Sequence, residues 1–411
     1  MVDSRRRLSL WRTKVSITEL STTQPTLEQV KSSLSELVPM LREKAQWSEE
    51  NRRLHDDSLQ ALADAGVFKL RMPLRYGGLE ADTRTLVDVG IQLGRADGAL
   101  AWTVSTYWIA SWIVGLFPDR AQDEVFASPD VRICGAVSPS GSLVPVDGGA
   151  VLNGSWHFVS GALHADWQEL ATIRLRPGAD PEPVIAAVPM SSLQIVDDWH
   201  TSGMAASGSV TTAAKDVFVP ETHIIPMDSA IRPNTLSKLG ADSPIYRSPT
   251  ILAGSAATVG ILVGMAKAAR EAFFERMPSR PIRYTDYEHQ AEAPVTHIQV
   301  GTAVMKTEQA EYHAYHAASL VDAKAASGEP WTTEERARVR ADEGWATKLS
   351  KEAVDIYAAA SGGSSIYRNE PIQRIVRDIH AISVHPMFSP DSNTETYGRV
   401  LCGLPPNTMF I

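Results

Sequence analysis

Cysteine is scarce in this chain, which has only Cys134 and Cys402 among 411 residues. Neither lies in a Cys-x-x-Cys pair or a Cys/His cluster, so the sequence predicts no bound metal and no disulfide framework. Such low cysteine usage is typical of a reducing compartment, and we expect a cytoplasmic location.

Long apolar runs and an excess of positive charge are also missing. Residues 251–265 form the longest apolar stretch, which is too short to cross a membrane, so we expect no membrane association. The 39 Lys and Arg against 48 Asp and Glu leave a net charge of −9, which disfavours nucleic acid as a partner. No Gly-x-Gly-x-x-Gly motif follows a strand pattern, so we do not expect nicotinamide to bind this chain.

Basic residues do cluster at one place, Arg5-Arg6-Arg7 near the N-terminus. A twin-arginine export signal would continue with an apolar stretch, whereas Trp-Arg-Thr-Lys follows at residues 11–14. The sequence therefore predicts a disordered basic tail over residues 1–24.

Apolar residues recur at steps of three and four from residue 26 to about residue 127. Val30, Leu34 and Leu41 illustrate the spacing, which puts apolar side chains on one face of a helix. The pattern predicts an N-terminal α-helical domain over residues 25–130. Within it we expect long helices at residues 83–96 and 100–117.

Composition changes near Val131, where β-branched residues and glycines begin to dominate. Short β-branched runs separated by turns predict an all-β domain over residues 131–246, built as a barrel or a sandwich. The runs lie at residues 151–152, 170–173 and 184–188.

Helical periodicity returns after a linker that contains Pro and Ser. Four long periodic segments predict a helical bundle domain over residues 247–411. The segments are residues 251–275, 295–327, 332–360 and 371–380.

Short motifs occur where these three regions meet. They are Arg-Ala-Asp-Gly-Ala-Leu-Ala-Trp at residues 95–102, the Gly-rich run ending in Trp-His-Phe-Val-Ser-Gly at residues 149–161, Asp-Trp-His-Thr-Ser-Gly-Met at residues 198–204, Val-Phe-Val-Pro at residues 217–220, Tyr-Thr-Asp-Tyr at residues 284–287 and Arg-Asp-Ile-His at residues 377–380. In this order they resemble the acyl-CoA dehydrogenase superfamily, over residues 27–404. The resemblance implies an acyl-CoA dehydrogenase fold with an N-terminal all-α domain, a middle β-barrel domain and a C-terminal four-helix bundle. It also implies a homotetramer whose flavin sites are shared between subunits.

The superfamily carries out two chemistries, and the segment after Arg377-Asp378 separates them. Many acyl-CoA dehydrogenases have their catalytic glutamate there in a Tyr-Glu-Gly setting, whereas residues 381–386 read Ala-Ile-Ser-Val-His-Pro and contain no carboxylate. The run Arg-Asp-Ile-His-Ala-Ile-Ser-Val-His at residues 377–385 resembles flavin-dependent hydroxylases that receive reduced flavin. The chain thus resembles the oxygenase component of a two-component flavin monooxygenase.

This second resemblance implies reduced FMN (FMNH2) as the first choice of cofactor, FADH2 as the second and O2 as co-substrate. A C4a-hydroperoxyflavin would hydroxylate an aromatic or polycyclic small molecule, or N-oxidise an amine or amino sugar, in secondary metabolism or catabolism. A separate NAD(P)H-dependent flavin reductase would supply the reduced flavin. Two alternatives stay open: an acyl-CoA dehydrogenase or oxidase with an unusual catalytic base, and a non-catalytic relative.

The resemblance also selects two candidate catalytic residues. His385 would lie near the flavin C4a edge, and imidazole can accept a substrate proton near neutral pH. Ser160 would lie beside flavin N5. Each has an ordinary structural alternative, a histidine at a helix end and a serine in a turn.

Binding residues follow from the same resemblance. The flavin candidates are Ser138, Ser160, Trp199, Ser209, Arg283, Gly362, Gly363 and Arg377. The substrate candidates are the aromatic residues of one predicted helix and its start, Trp102, Tyr107, Trp108 and Trp112. An exposed ion pair for Arg283, a plain loop for the glycines and a core role for the aromatic residues remain alternatives.

Overall fold

The computed structural model describes residues 25–411, and the predicted tail at residues 1–24 lies outside the described residues. Along the chain, a group of helices is followed by a central β-sheet and then by a second group of helices. The predicted sequence of helical, all-β and helical regions is confirmed at this level. The boundaries at residues 130 and 246 stay predictions.

Among the described residues, five helices form the N-terminal region: α1 (Leu27–Asn51), α2 (Asp56–Asp64), α3 (Thr83–Ala96), α4 (Gly98–Val114) and α5 (Asp119–Val125). Helix α1 begins with a capping box in which Thr26 and Gln29 each satisfy the other's backbone N–H. Asp97 caps α4, because its carboxylate accepts the N–H groups of Ala99 and Leu100. That cap explains why α4 begins at Gly98, before the predicted residue 100. The helix ends at Val114, before the predicted residue 117.

Eight strands form one central sheet: β1 (Ile133–Ala136), β2 (Ser142–Val146), β3 (Gly149–Trp156), β4 (Trp167–Arg174), β5 (Glu182–Pro189), β6 (Gln194–Val196), β7 (Thr211–Pro220) and β8 (Ile224–Pro226). The pairing order is β6-β7-β3-β2-β4-β5-β8, and β1 pairs with β4 in parallel. Within residues 25–411 the outer strands β6 and β8 do not pair with each other. The pairing is therefore that of an open sheet, and it does not close the β-barrel implied by resemblance.

Within residues 25–411, seven helices follow the sheet: α6 (Asp228–Ile231), α7 (Thr250–Thr258), α8 (Gly260–Arg276), α9 (Pro294–Ser327), α10 (Thr333–Ala360), α11 (Pro371–Ser383) and α12 (Pro390–Leu401). Helices α6 and α12 lie outside the four predicted segments. The segment predicted as one helix at residues 251–275 is divided into α7 and α8 at Val259. Helix α12 packs on α10. The predicted helical C-terminal region is thus confirmed, and it contains the additional helix α12.

The N-terminal and C-terminal helices are joined by a close crossing of α3 and α8. A Cβ atom on Gly94 would lie 2.3 Å from the carbonyl oxygen of Ile261, and one on Gly264 would lie 2.3 Å from that of Ile91. Only glycine permits this backbone approach. The two helical regions therefore share one core although the sheet separates them in sequence.

One stretch of the described residues, Thr250–Ser279, is long and apolar enough by length and composition to cross a membrane. In its most apolar window, 94% of the residues are buried inside the protein. That burial is the behaviour of a core helix, and it agrees with the packing of α8 on α3.

Glu169 on β4 is a buried carboxyl without a compensating charge. Its side chain lies against Gly135, it is 1% exposed, and its Oε2 atom has no hydrogen-bond partner within residues 25–411. Burial raises the pKa of Glu169 to about 8. The carboxyl is therefore protonated at neutral pH.

We expect Glu169→Gln to stabilise the protein above neutral pH. The folded-state pKa is raised, so wild type loses stability as pH rises from about 5 through 8, by about 4 kcal/mol for this group. The amide cannot ionise, so the variant avoids that loss. Urea unfolding of both proteins across this range measures the difference, and parallel stability curves would contradict the assignment.

Candidate active site

Strands β3 and β7 place two loops side by side. The strands pair antiparallel with Trp156 opposite Thr212, so residues 157–161 and 199–210 leave the sheet at the same end. The N–H of Val159 donates to the carbonyl of Val210 at 3.1 Å, and the N–H of Gly161 donates to that of Ser207 at 2.9 Å. These bonds bring Ser160 and Ser209 together.

A chain of buried hydroxyl groups runs through both loops. The indole Nε1 of Trp102 donates to Ser160 Oγ at 2.9 Å, and Ser160 Oγ lies 2.7 Å from Ser209 Oγ. Ser209 Oγ lies 2.7 Å from Ser207 Oγ, which donates to the carbonyl of Met204 at 2.7 Å. Because both ends have fixed roles, each hydroxyl donates in the direction from Trp102 to Met204. Hydrogen bonds that are aligned in one direction in this way polarise and strengthen one another.

An aromatic pair flanks this chain at the surface. Phe158 has a positive φ of 61° and a 74% exposed side chain, and its ring meets that of Trp199 edge-on at 5.8 Å. The indole of Trp199 donates to the carbonyl of Met204 at 3.0 Å. A strained, exposed aromatic residue is a common feature of ligand sites. Phe158 and Trp199 thus offer an accessible apolar wall next to the buried hydroxyl groups.

His385 follows the end of α11 and also contacts Trp102. Its ring meets that of Trp102 edge-on at 5.1 Å and that of Phe388 at 5.7 Å. Burial first, and then the positive charge of Arg340, lower the pKa of His385 to about 4. Its Nδ1 accepts the N–H of Met387 at 3.3 Å. The neutral ring therefore carries its proton on Nε2 in this arrangement.

Arg340 on α10 fixes the segment that carries His385. Its guanidinium pairs with Glu343 at 3.0 Å and donates to Asn393 at 2.8 Å and to the carbonyl of Pro386 at 3.4 Å. All three charged or amide side chains are buried. A paired and hydrogen-bonded buried arginine gives the segment a defined position and keeps positive charge near the imidazole.

Two of the four predicted substrate residues lie inside the protein, and substrate contact for them stays a prediction. Trp108 is buried and its Nε1 donates to the carbonyl of Val67 at 2.8 Å, while Trp112 is buried beneath the guanidinium of Arg71, 3.7 Å from the ring centre. Both fill the core, because α4 is surrounded by other elements. Helical spacing identified a shared face, but that face packs inside the protein.

Tyr107 and Trp102 of the same helix do reach the loops. Tyr107 is buried, and its hydroxyl donates to the carbonyl of Gly161 at 2.8 Å, so it supports the turn that holds Ser160. Trp102 is only partly buried and contacts both Ser160 and His385. Direct substrate contact for Tyr107 and Trp102 stays a prediction.

The remaining flavin candidates divide into two groups. Arg377 on α11 donates to the carbonyl of Ser202 at 2.9 Å and pairs with Glu49, and its Nη2 is buried without a partner within residues 25–411. The others make no hydrogen bond with the hydroxyl chain in the described part of the protein, and they lie in surface segments. They are Ser138 after β1, Arg283 in the exposed residues 281–289, and Gly362 and Gly363 between α10 and α11.

Ser160, Ser209, Trp102 and His385 are therefore brought together, and Trp199 joins them through Met204. Sequence reasoning missed Ser207 and Phe388, which complete the hydroxyl chain and the aromatic surround of His385. The Ser-x-Ser spacing of residues 207–209 was a signal for the first. Nothing in the local sequence marks Phe388.

Comparison with known proteins places this geometry in a family. The acyl-CoA dehydrogenase N-terminal domain family matches residues 26–129, and the acyl-CoA dehydrogenase C-terminal domain family matches residues 256–390. The flavin-dependent monooxygenase oxygenase subunit HsaA of Mycobacterium tuberculosis is 31% identical over 386 residues, 93% of this chain and 98% of that protein. The oxygenase component of the FADH2-dependent resorcinol hydroxylase of Rhizobium sp. is 27% identical over 385 residues, 91% and 94% of the two chains.

Solved structures agree. The crystal structure of the HsaA monooxygenase from M. tuberculosis superposes with a TM-score of 0.87 at 31% identity and covers 94% of this chain and 100% of that one. XiaF from Streptomyces sp., solved with FADH2 and glycerol, gives a TM-score of 0.87 at 29% identity over 93% and 97% of the chains. The chain belongs to the acyl-CoA dehydrogenase superfamily, in the branch formed by the oxygenase subunits of flavin-dependent monooxygenases.

Proposed function

We propose that this protein uses FADH2 and O2 to hydroxylate the ring of a phenolic small molecule. The observation that carries the proposal is the surround of His385, which is formed by the rings of Trp102 and Phe388. Aromatic walls suit a flat ring, whereas an ammonium group would call for carboxylates. The names of HsaA and of the resorcinol hydroxylase as oxygenase subunits support the reaction class.

The described residues fit a flavin. Phe158 and Trp199 offer an apolar wall, Ser160 offers a buried hydroxyl group beside it, and Arg377 has an unpartnered guanidinium nitrogen for an anionic or carbonyl group. The resorcinol hydroxylase and XiaF, 27% and 29% identical to this chain, are described with FADH2, whereas TdsC, described with FMN, is only 18% identical. We therefore propose FADH2 ahead of FMNH2. When bound, reduced flavin supplies the two electrons for placing one oxygen atom in the ring and releasing the other as water.

The protein's own residues would control protons and water around that reaction. In this tautomer, neutral His385 can donate from Nε2 to a substrate oxygen. It can accept the phenolic proton at Nε2 when the ring proton moves to Nδ1 and the hydrogen bond from Met387 breaks. The hydroxyl chain keeps Ser160 fixed and leaves no hydroxyl free to rotate. The apolar ring of Trp102 contacts both residues and would limit water around them.

A second protein would supply the reduced flavin. The relatives are described as an oxygenase subunit and an oxygenase component, which implies a separate reductase. We propose that an NAD(P)H-dependent flavin reductase has this role here.

A homotetramer is the proposed assembly. Helix α9 exposes Ile298, Met305 and Tyr312 at a seven-residue spacing, with side chains 70%, 54% and 62% exposed. Seven residues are close to two helical turns, so the three lie along one stripe. An exposed apolar stripe of this length suits a helix of a second copy.

We expect FADH2, added without reductase or nicotinamide to the protein and a phenol such as resorcinol, to give ring-hydroxylated product. Mass spectrometry with 18O2 measures incorporation of one labelled oxygen. The Ser160→Ala variant, which breaks the hydroxyl chain, is expected to release more H2O2 per product, by about tenfold or more. Absence of labelled product from a panel of phenols, together with oxidation of an acyl-CoA, would contradict the function.

We expect His385 to stay neutral well below the pH at which an ordinary histidine protonates. Its pKa is lowered to about 4, so the neutral form is lost only as pH falls through about 4, rather than through about 6.5. NMR titration of the ring protons, assigned with His385→Gln, tests this. A midpoint near 6.5 would show that burial and Arg340 do not act on the ring as described.

We expect Met305→Glu to reduce the assembly size, because it places a charge in the apolar stripe of α9. Sedimentation velocity measures the species present. Ser35→Glu on α1 is the matched control, since it adds the same charge at an exposed position. A wild-type monomer, or an unchanged assembly of the variant, would count against this interface.

A further inference from the structure

Two buried carboxyl groups meet where α4, α11 and the 199–210 loop come together. Asp97 and Asp378 are each 4% exposed and line the same cavity of about 50 Å3. The cavity is also lined by Arg42 of α1, Arg95 of α3, Glu275 of α8 and Arg374 of α11. Neither carboxyl belongs to the hydroxyl chain or contacts His385.

Each carboxyl holds a different part of the candidate active site. Asp97 accepts the N–H groups of Ala99 and Leu100 at 2.7 and 3.0 Å, and so fixes the first turn of α4, which leads to Trp102. Asp378 Oδ1 accepts the N–H of Met204 at 2.6 Å across the boundary between helix and sheet. The carbonyl of that same Met204 receives the hydrogen bonds of Trp199 and Ser207.

The backbone at this junction leaves little freedom to shift. Met204 has a φ of 58°, in the left-handed region that non-glycine residues rarely adopt. A Cβ on the preceding Gly203 would lie 2.2 Å from the carbonyl oxygen of Arg377. The hydrogen bond to Asp378 is the side-chain contact that holds Met204 in this uncommon conformation.

We propose that Asp378 is a positioning residue for the active site, whose carboxyl clamps the Met204 turn onto α11 and keeps the hydroxyl chain in register with His385. The link to oxygen transfer rests on the proposed function, whereas the clamp itself exists without flavin. Because α11 also leads directly into His385, one helix sets the positions of both candidate catalytic residues.

The pair of carboxyls makes the clamp sensitive to pH. Burial, reinforced by Asp97, raises the pKa of Asp378 to about 7, and burial also raises the pKa of Asp97. Arg374 opposes both shifts, and Glu49 adds to them. The N–H of Met204 favours the charged form of Asp378, but burial and the neighbouring Asp97 outweigh it. The stabilisation is therefore present at low pH and is lost as pH rises through about 7.

Hydrogen–deuterium exchange of the flavin-free protein tests the clamp directly, in the peptide that covers residues 199–209. Asp378→Ala removes the acceptor and is expected to speed exchange there by about tenfold. Asp378→Asn keeps an oxygen acceptor and removes the charge, so it should retain protection. Wild type should lose protection between about pH 6 and 8.5, after correction for intrinsic exchange, whereas Asp378→Asn and Asp97→Asn should not.

Asp355→Asn is the matched control, because Asp355 ties α11 to α10 through His380 at 2.7 Å without contacting the loop. The proposal is overturned if Asp378→Ala exchanges like wild type, or if Asp355→Asn loosens the loop as much. If Asp378→Ala does not fold, Asp378→Asn provides the test. The proposal is then overturned if Asp378→Asn shows the same pH dependence of exchange as wild type.

Flavin binding separates this proposal from the proposed function. Anaerobic titration with FADH2 is expected to give about tenfold weaker binding for Asp378→Ala than for Asp378→Asn. A wild type that binds no flavin but shows the exchange pattern would refute the function and support the clamp. If wild type binds FADH2 and hydroxylates phenols, and Asp378→Ala changes neither exchange nor affinity, the function would be supported and the clamp refuted.

Discussion

The contact between Gly203 and the backbone of α11 determines how the central sheet meets the C-terminal helices. Because position 203 has no side chain, the loop approaches the carbonyl of Arg377 closely enough for Asp378 to reach the next N–H. From that hydrogen bond follow the orientation of the Met204 carbonyl, the two donors that it receives and the order of the serines beyond it. The absence of a Cβ atom at position 203 therefore permits the contacts that order the whole hydroxyl chain.

The buried polar groups near Trp102 are stabilised in two different ways. On the loop side, neutral hydroxyl groups are satisfied by one another. On the helix side, Arg340 is buried with Glu343 and Asn393, and its charge helps keep His385 neutral. A buried arginine is tolerated there because each of its contacts is a hydrogen bond or an ion pair. The same segment contains no carboxylate at residues 381–386, in contrast to the dehydrogenases that it resembles.

Much of the fold could be predicted from the sequence, because helical periodicity and β-branched runs are local signals. The division at Val259 and the helix α12 could not, since one depends on packing and the other has few apolar residues. The order of the strands in the sheet could not be predicted either, because strand pairing joins residues that are far apart in sequence. The closed barrel came from resemblance alone, and the strand pairing does not show it.

The candidate site was predicted in part, and resemblance supplied that part. Ser160 and His385 were selected by their places in motifs, and the structure shows that Trp102 contacts both of them. Trp108 and Trp112 show the limit of periodicity, which identifies a helix face but not what covers it. The interaction of Asp378 with Met204 links residues 174 positions apart. No local pattern could have indicated it.

The glycine crossing of α3 and α8 has a consequence for synthesis on the ribosome. Gly94 and Gly264 lie 170 residues apart, and the whole sheet is made between them. At a synthesis rate of about 5 to 20 residues per second, α8 is made roughly 10 to 30 seconds after α3. During that time the face of α3 that packs on α8 in the folded protein has no native partner from the second half of the chain.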